Sequence, residues 1–285
     1  IRMKRLANGS KHTVTIEKIV YHGWGLAKIE GLTVFIPHTL PGDTVDIEIT
    51  GKKKRYVMGR KLSTHKSSEF RESSPCQHFP QCGGCQLVDV PYSKQLKLKE
   101  AILRDCFDSQ FKDLNDKLSH IVPSPDATYY RNKMDFAFAQ DTEGLYFGLK
   151  ERGKYDKIVK ISNCQLMSAD SMTICQTLCN ELTQTTLTAW DYESCSGDLR
   201  HASIRHSKAH NQYMLTLIVG TDCISTLEPI LKKVATLHPE LVSVHTIINT
   251  SPGDNLYGLN AEPLSGQTHI HEKLESQEFK ISPLP

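Results

Sequence analysis

Three cysteines, Cys76, Cys82 and Cys85, lie within ten residues of one another, with five residues between the first pair and two between the second. Gly83 and Gly84 stand between Cys82 and Cys85 and let the backbone turn tightly, so that two sulfurs can face one centre. Thiolates crowded in this way are metal ligands by type and spacing, and three of them want a fourth. No second Cys-x2-Cys follows at the distance of about 15–20 residues that a zinc ribbon shows. The other cysteines are Cys106, Cys164, Cys175, Cys179, Cys195 and Cys223. Of these, Cys164 alone follows a strand-like run, 157–161, and precedes a helix start, where a loop-borne ligand is expected. Zinc and an iron–sulfur cluster both suit such a donor set.

A second set of residues suits phosphate and bases. Lys52, Lys53, Lys54 and Arg55 form a basic run with Arg60, Lys61 and Lys66 close behind, while Trp24, Tyr21, His22 and Tyr56 supply rings for stacking. Cations over a backbone and aromatic faces for unpaired bases are the parts of a single-strand RNA surface. The net charge of +2 hides the asymmetry: residues 1–66 hold 13 Lys and Arg against 5 Asp and Glu, leaving 21 against 27 for the rest.

The elements that must carry these groups follow from periodicity. Strand patterns at 13–20, 32–36, 44–50 and 55–62, separated by Gly23, Gly31 and Pro41-Gly42-Asp43, predict a small closed barrel. Strands, not a helix, follow Gly23-Trp24-Gly25, so a dinucleotide loop is excluded. A helix is expected from Pro91 to about residue 111, with Leu96, Leu103 and Phe107 as its apolar stripe, and then a linker over 112–126 containing Pro123 and Pro125. Met134, Phe136 and Phe138 alternate on a strand at 129–138, and strands at 144–149 and 157–161 follow. A helix over 168–187 places Met172, Cys175, Leu178, Cys179 and Leu182 on one face, which makes that cysteine pair core rather than ligand. A hairpin (199–206 with 212–219), a helix (226–237), a strand (241–249) and a last hairpin within 255–283 complete the chain. His269 and His271 alternate on an exposed-looking stretch with no metal role expected. The fold class is β-rich and α+β, a barrel followed by a mainly antiparallel sheet with helices on one face.

No apolar run approaches a membrane span and the amino terminus lacks the apolar core of a signal peptide, so a cytoplasmic monomer is the expectation. Nine cysteines without a secretory signal agree with a reducing compartment.

The motif Cys-x5-Cys-Gly-Gly-Cys with a distant fourth cysteine resembles the iron–sulfur signature of the SAM-dependent RNA (uracil-5-)methyltransferases that carry a TRAM domain. The resemblance implies a [4Fe–4S] cluster on Cys76, Cys82, Cys85 and Cys164. The Gly-x-Gly-x-Ala segment at Gly23 and the Pro-Gly-Asp turn at Pro41 likewise resemble a TRAM domain, an OB-like RNA-binding barrel. Tyr130-Arg131-Asn132-Lys133 matches the family's strand entry near the RNA, which adds Arg131 and Lys133 to the RNA candidates Trp24, Lys52, Lys53, Lys54, Arg55, Arg60 and Lys61. The implied organisation is a TRAM barrel at 1–66, an iron–sulfur nest at 67–90, a helix and linker at 91–126 that would pack on a catalytic domain, and a central α+β domain at 127–285.

The sequence contains no apolar strand, Gly-rich turn and helix of a SAM site, nor the nucleophilic cysteine and base that pyrimidine C5 methylation needs. The expectation is therefore an RNA-binding and cluster-bearing portion of an enzyme that methylates uridine in RNA, large-subunit rRNA ahead of tRNA, itself inactive and without catalytic residues. Two other readings compete with it. A stand-alone RNA-binding module with a structural zinc explains the barrel and the nest but leaves the helix at 91–111 without a partner. A radical-SAM methylthiotransferase has Cys-x3-Cys-x2-Cys spacing and its TRAM domain last, unlike this chain.

Overall fold

The structure is a computed structural model that describes residues 6–108 and 117–284. The chain divides into two compact units, one of residues 1–77 and 85–125, the other of 78–84 and 126–285. The cysteine-rich stretch is therefore shared between units rather than forming a module of its own.

In the first unit, strands β1 (Lys11–Thr15), β2 (Lys18–Val20), β3 (Trp24–Ile29), β4 (Leu32–Ile36), β5 (Thr44–Lys52) and β6 (Tyr56–Lys66) form a sheet in the order β1-β5-β6-β4-β3-β2. The outer strands of that order, β1 and β2, are separated in the chain only by Ile16 and Glu17, so the sheet must curl back on itself. Alternation drives it. In β5, Val45, Ile47 and Ile49 point inward between Thr44, Asp46 and Glu48 and join Val14, Ile16, Ala27, Val34, Ile36 and Val57 in the core. Each fully buried aliphatic side chain contributes about 1.5–3 kcal/mol.

The run expected as one strand at 13–20 is two, and β3 crosses the Gly-x-Gly segment. A Cβ on Gly25 would lie 2.0 Å from Thr39 Oγ1 and 2.8 Å from Ile16 Cγ2, so the glycine is there for close packing.

The helix α1 (Tyr92–Asp108) buries a different face from the stripe the sequence suggested. It finds its cover within its own unit: Leu98 is buried with Ile19, Leu40 and Val90, and Phe70, Leu87 and Ile102 pack around them. The buried face holds Leu98 and Ile102, one turn apart, while Leu103 is exposed. The expected helix end near 111 and the start of the linker lie outside the described residues.

The second unit is built on a seven-stranded sheet, ordered β13-β12-β11-β10-β7-β8-β9. Its strands are β7 (Lys133–Asp141), β8 (Gly144–Lys150), β9 (Ile158–Lys160), β10 (Leu199–Ser207), β11 (Gln212–Val219), β12 (Leu241–Ile248) and β13 (Glu262–Gly266). All pairings are antiparallel except β11 with β12, which the helix α3 (Ile224–Leu237) joins as a crossover. The helix α2 (Ala169–Leu182), capped by Ser168 accepting from Ser171 N–H, buries Met172, Cys175, Leu178, Cys179 and Leu182. Its cysteines are core, and burial pushes the Cys175 thiol far up. A separate hairpin, β14 (Ile270–Leu274) with β15 (Gln277–Ile281), follows.

Candidate functional site

On the barrel, the β5–β6 turn presents Lys52, Lys53, Lys54 and Arg55 to solvent. Arg60 and Lys61, equally basic in the sequence, each meet a protein acceptor. Arg60 pairs with Glu48 across the β5–β6 ladder, and half-buried Lys61 donates to the carbonyl of His38 at 3.2 Å. Burial lowers the Lys61 pKa.

The aromatic candidates gather. The Tyr21 and His22 rings are 4.4 Å apart and His22 and Trp24 5.2 Å, with Tyr21 69% exposed. Tyr56 stands edge-on to Phe35 at 5.1 Å. His22, at φ 72°, takes the tight turn that sets this row of rings at the start of β3.

In the second unit, Lys133 pairs with Asp135 at 3.1 Å. Arg131 lies against Met134 Sδ at 3.6 Å, and its backbone N–H donates to Leu166 O. They stand where β7 begins, beside the loop of residue 166.

The segment 78–84 is docked as an added strip of the second unit. Gly83 N–H donates to Lys150 O at 3.0 Å, Arg152 N–H donates to Gln81 O at 3.0 Å, and Cys82 bridges Glu151. His78 Nε2 accepts the backbone N–H of Ser162 at 3.2 Å, and burial lowers the His78 pKa. A Cβ on Gly84 would lie 3.6 Å from Leu166 Cδ1. His78 and Gly84, at the two ends of the strip, thus meet Ser162 and Leu166, which stand on either side of Cys164 in the chain.

Cys82 Sγ accepts the N–H of Gly84 at 3.4 Å. Cys76 and Cys85 flank the strip in the chain. All four sulfurs are half-buried and outside disulfides. As donors they fit a metal centre, although among the described residues no three His, Cys, Asp or Glu side chains are drawn together as an ion site.

A polar network that sequence reasoning did not find lies around Arg200, which is fully buried. It donates to the carbonyls of Asn249, Ser251 and Gly253 and to Asp254 Oδ1, and its Cζ lies 4.0 Å from the Trp190 ring centroid. Asp254 also meets His201 Nε2 at 3.0 Å and Lys150 Nζ at 2.9 Å. The hydrogen bond from His201, then those from Lys150 and Arg200, hold its carboxyl well below the usual range. No local signal in the sequence marks Arg200, since the same strand also carries Arg205, His201, His206, Ser203 and Ser207.

Residues 5–62 match the TRAM domain family. Beyond the barrel the chain is similar, over nearly all of its length, to RNA methyltransferases. An uncharacterized RNA methyltransferase of Bacillus cereus is 28% identical over 94% of this chain, one of Thermotoga maritima is 29% identical over 95%, and one of Clostridium tetani is 29% identical over 98%. The chain spans 58%, 60% and 62% of the lengths of these curated relatives.

Among solved structures, the Pyrococcus abyssi tRNA (uracil-54, C5)-methyltransferase, in complex with S-adenosyl-L-homocysteine, shares the fold. Its TM-score is 0.72 at 22% identity, covering 95% of this chain and 59% of that one.

Proposed function

We propose that this chain binds RNA as part of an enzyme that transfers a methyl group from S-adenosylmethionine to C5 of uridine. The reading is carried by two features of a barrel matching the TRAM family, the exposed cation turn 52–55 and the row of rings Tyr21–His22–Trp24 at the start of β3. The similarity of nearly all of this chain to part of the RNA methyltransferases supports it. The bound methyl donor supplies an activated methyl group. No residue of this span is assigned to hold it, and the span's own work is to bind and orient RNA without transferring the methyl.

Cys76, Cys82, Cys85 and Cys164 are proposed as ligands of a [4Fe–4S] cluster, supported by the motif spacing, the thiol donor set and the docking of 78–84 beside the loop of Cys164. Metal binding itself closes such cages, and the resulting cross-link stabilises the fold. Large-subunit rRNA is the proposed substrate, and a cytoplasmic monomer the proposed state. Among the described residues no helix is long and apolar enough to cross a membrane.

The test is titration of the chain with rRNA fragments, tRNA and duplex DNA over a salt series. Changing Lys52, Lys53, Lys54 and Arg55 to alanine removes cations from the phosphates. Selective rRNA binding, with a log–log salt slope that is shallower by about 0.7 for each single-strand phosphate so released, supports the reading. Selective tRNA binding moves the substrate to tRNA. Equal binding of RNA and DNA, unchanged by those substitutions, overturns it.

A further inference from the structure

Beyond β12 the chain runs through a loop, 249–258, that is tied down from beneath and open above. Asn249 Oδ1 accepts the N–H of Ser251 at 3.0 Å and its hydroxyl at 2.6 Å, and Asn249 Nδ2 donates to Gly253 O at 3.0 Å. Arg200 Nη1 donates to Asn249 O at 2.8 Å and to Ser251 O at 2.5 Å. Its Nη2 donates to Gly253 O at 2.8 Å and to Asp254 Oδ1 at 3.0 Å. Three loop carbonyls and one carboxylate thus converge on a single guanidinium that is itself sealed under Trp190. A loop held by charge-assisted bonds of this kind is ordered before any ligand arrives.

What that fixed loop displays is Tyr257, with 95% of its surface exposed. Its backbone N–H donates to Asn255 Oδ1 at 2.9 Å, an Asx turn that sets the tip. A Cβ on Gly253 or on Gly258 would meet nothing within 4 Å, so there is open space on both sides of the tip. Ser251, Pro252, Gly253, Asp254 and Asn255 are all exposed. The ring therefore lacks the apolar surround that seals a protein–protein hot spot. At the loop's base, Arg200 and the part-exposed Lys150 share the carboxylate of Asp254.

We propose that Tyr257 is a stacking platform for an unpaired RNA base, held in place by the loop that Arg200 orders. The inference rests on the RNA-binding reading and gives the second unit its own contact with single-stranded substrate. A flat, exposed ring accepts any base on its face, and loss of one such stack weakens binding measurably.

The experiment uses the full chain and a fluorescein-labelled oligouridylate, with the matching A–U duplex as comparison. Tyr257→Ala is expected to weaken single-strand binding about tenfold with unchanged melting temperature and duplex affinity, while Tyr257→Trp binds as tightly as the parent. Photolysis with a 5-iodouridine version of the oligonucleotide is expected to cross-link Tyr257. An alanine variant that binds the oligouridylate like the parent, without cross-linking at Tyr257 in the parent, overturns the proposal and leaves the ring to a protein partner. A parent chain that binds no RNA at all overturns this inference and the functional reading together.

Discussion

Arg71 Nη2 lies 2.9 Å from the Asp43 carboxylate, which is 1% exposed. The other arm of Arg71 pairs with Asp89, also buried, and Asp43 accepts the N–H groups of Leu40 and Ser68. This knot ties the β4–β5 turn to the segment that leaves the barrel. Arg71→Met strands two carboxylates away from water, and the expected loss is about 3–5 kcal/mol of unfolding free energy in urea titration. Arg71→Lys restores only part, because one ammonium cannot fork between two acids.

Asp46 joins three barrel strands through Thr13, Ser63 and His65. The hydrogen bond from Thr13, then those from His65 and Ser63, lower its pKa to about 2. A carboxyl depressed on folding stabilises above its unfolded pKa and loses that contribution as pH falls through the folded value. The melting temperature of the parent should therefore fall between about pH 4 and pH 2. In Asp46→Asn the fall over that window should be shallower, and an equal fall in both chains counts against the assignment.

A methyl group on Gly83 would sit 2.8 Å from the Lys150 carbonyl and 3.5 Å from Arg152 Cα, both backbone atoms. Gly83→Ala is expected to lift the 78–84 strip and cost about 1–3 kcal/mol, with faster amide exchange at Gly83 and Arg152. Gly253→Ala, where the added methyl meets nothing within 4 Å, serves as the control and should melt like the parent.

Cys82→Ser tests the proposed cluster on protein purified without oxygen. The parent should carry about four irons and four sulfides with a broad visible band, and the variant should be colourless and less stable. One zinc and no sulfide in the parent points to a structural zinc instead, while a variant that keeps its colour and melting temperature removes Cys82 from the ligand set.

The elements were legible wherever one face of a short period is buried. The inward Val45, Ile47 and Ile49 and the stripe Met172–Cys175–Leu178–Cys179–Leu182 announce themselves within a dozen residues. What stayed hidden depends on distant partners. The buried face of α1 is chosen by Ile19, Leu40 and Val90, so Leu98 and Ile102 turn inward where Leu96, Leu103 and Phe107 looked equally apolar. The partner of Lys61, the carbonyl of His38, lies 23 residues away and leaves no trace beside the lysine in the sequence. Arg200 gives no local hint because its acceptors lie about fifty residues downstream. The cysteine spacing was plain in the sequence, whereas the docking of 78–84 on the β8–β9 hairpin was not.

That docking also sets an order of events during synthesis. The strip 78–84 leaves the ribosome well before Lys150 and Arg152, which supply its hydrogen-bond partners, so it must wait, already tethered to the barrel, for the second sheet to be made. A chain started at Asp126 would never receive it, and the edge of the β8–β9 hairpin would face solvent with those backbone groups unpaired. Separate production of the second unit therefore calls for supplying the strip as a peptide or grafting it onto the shortened chain.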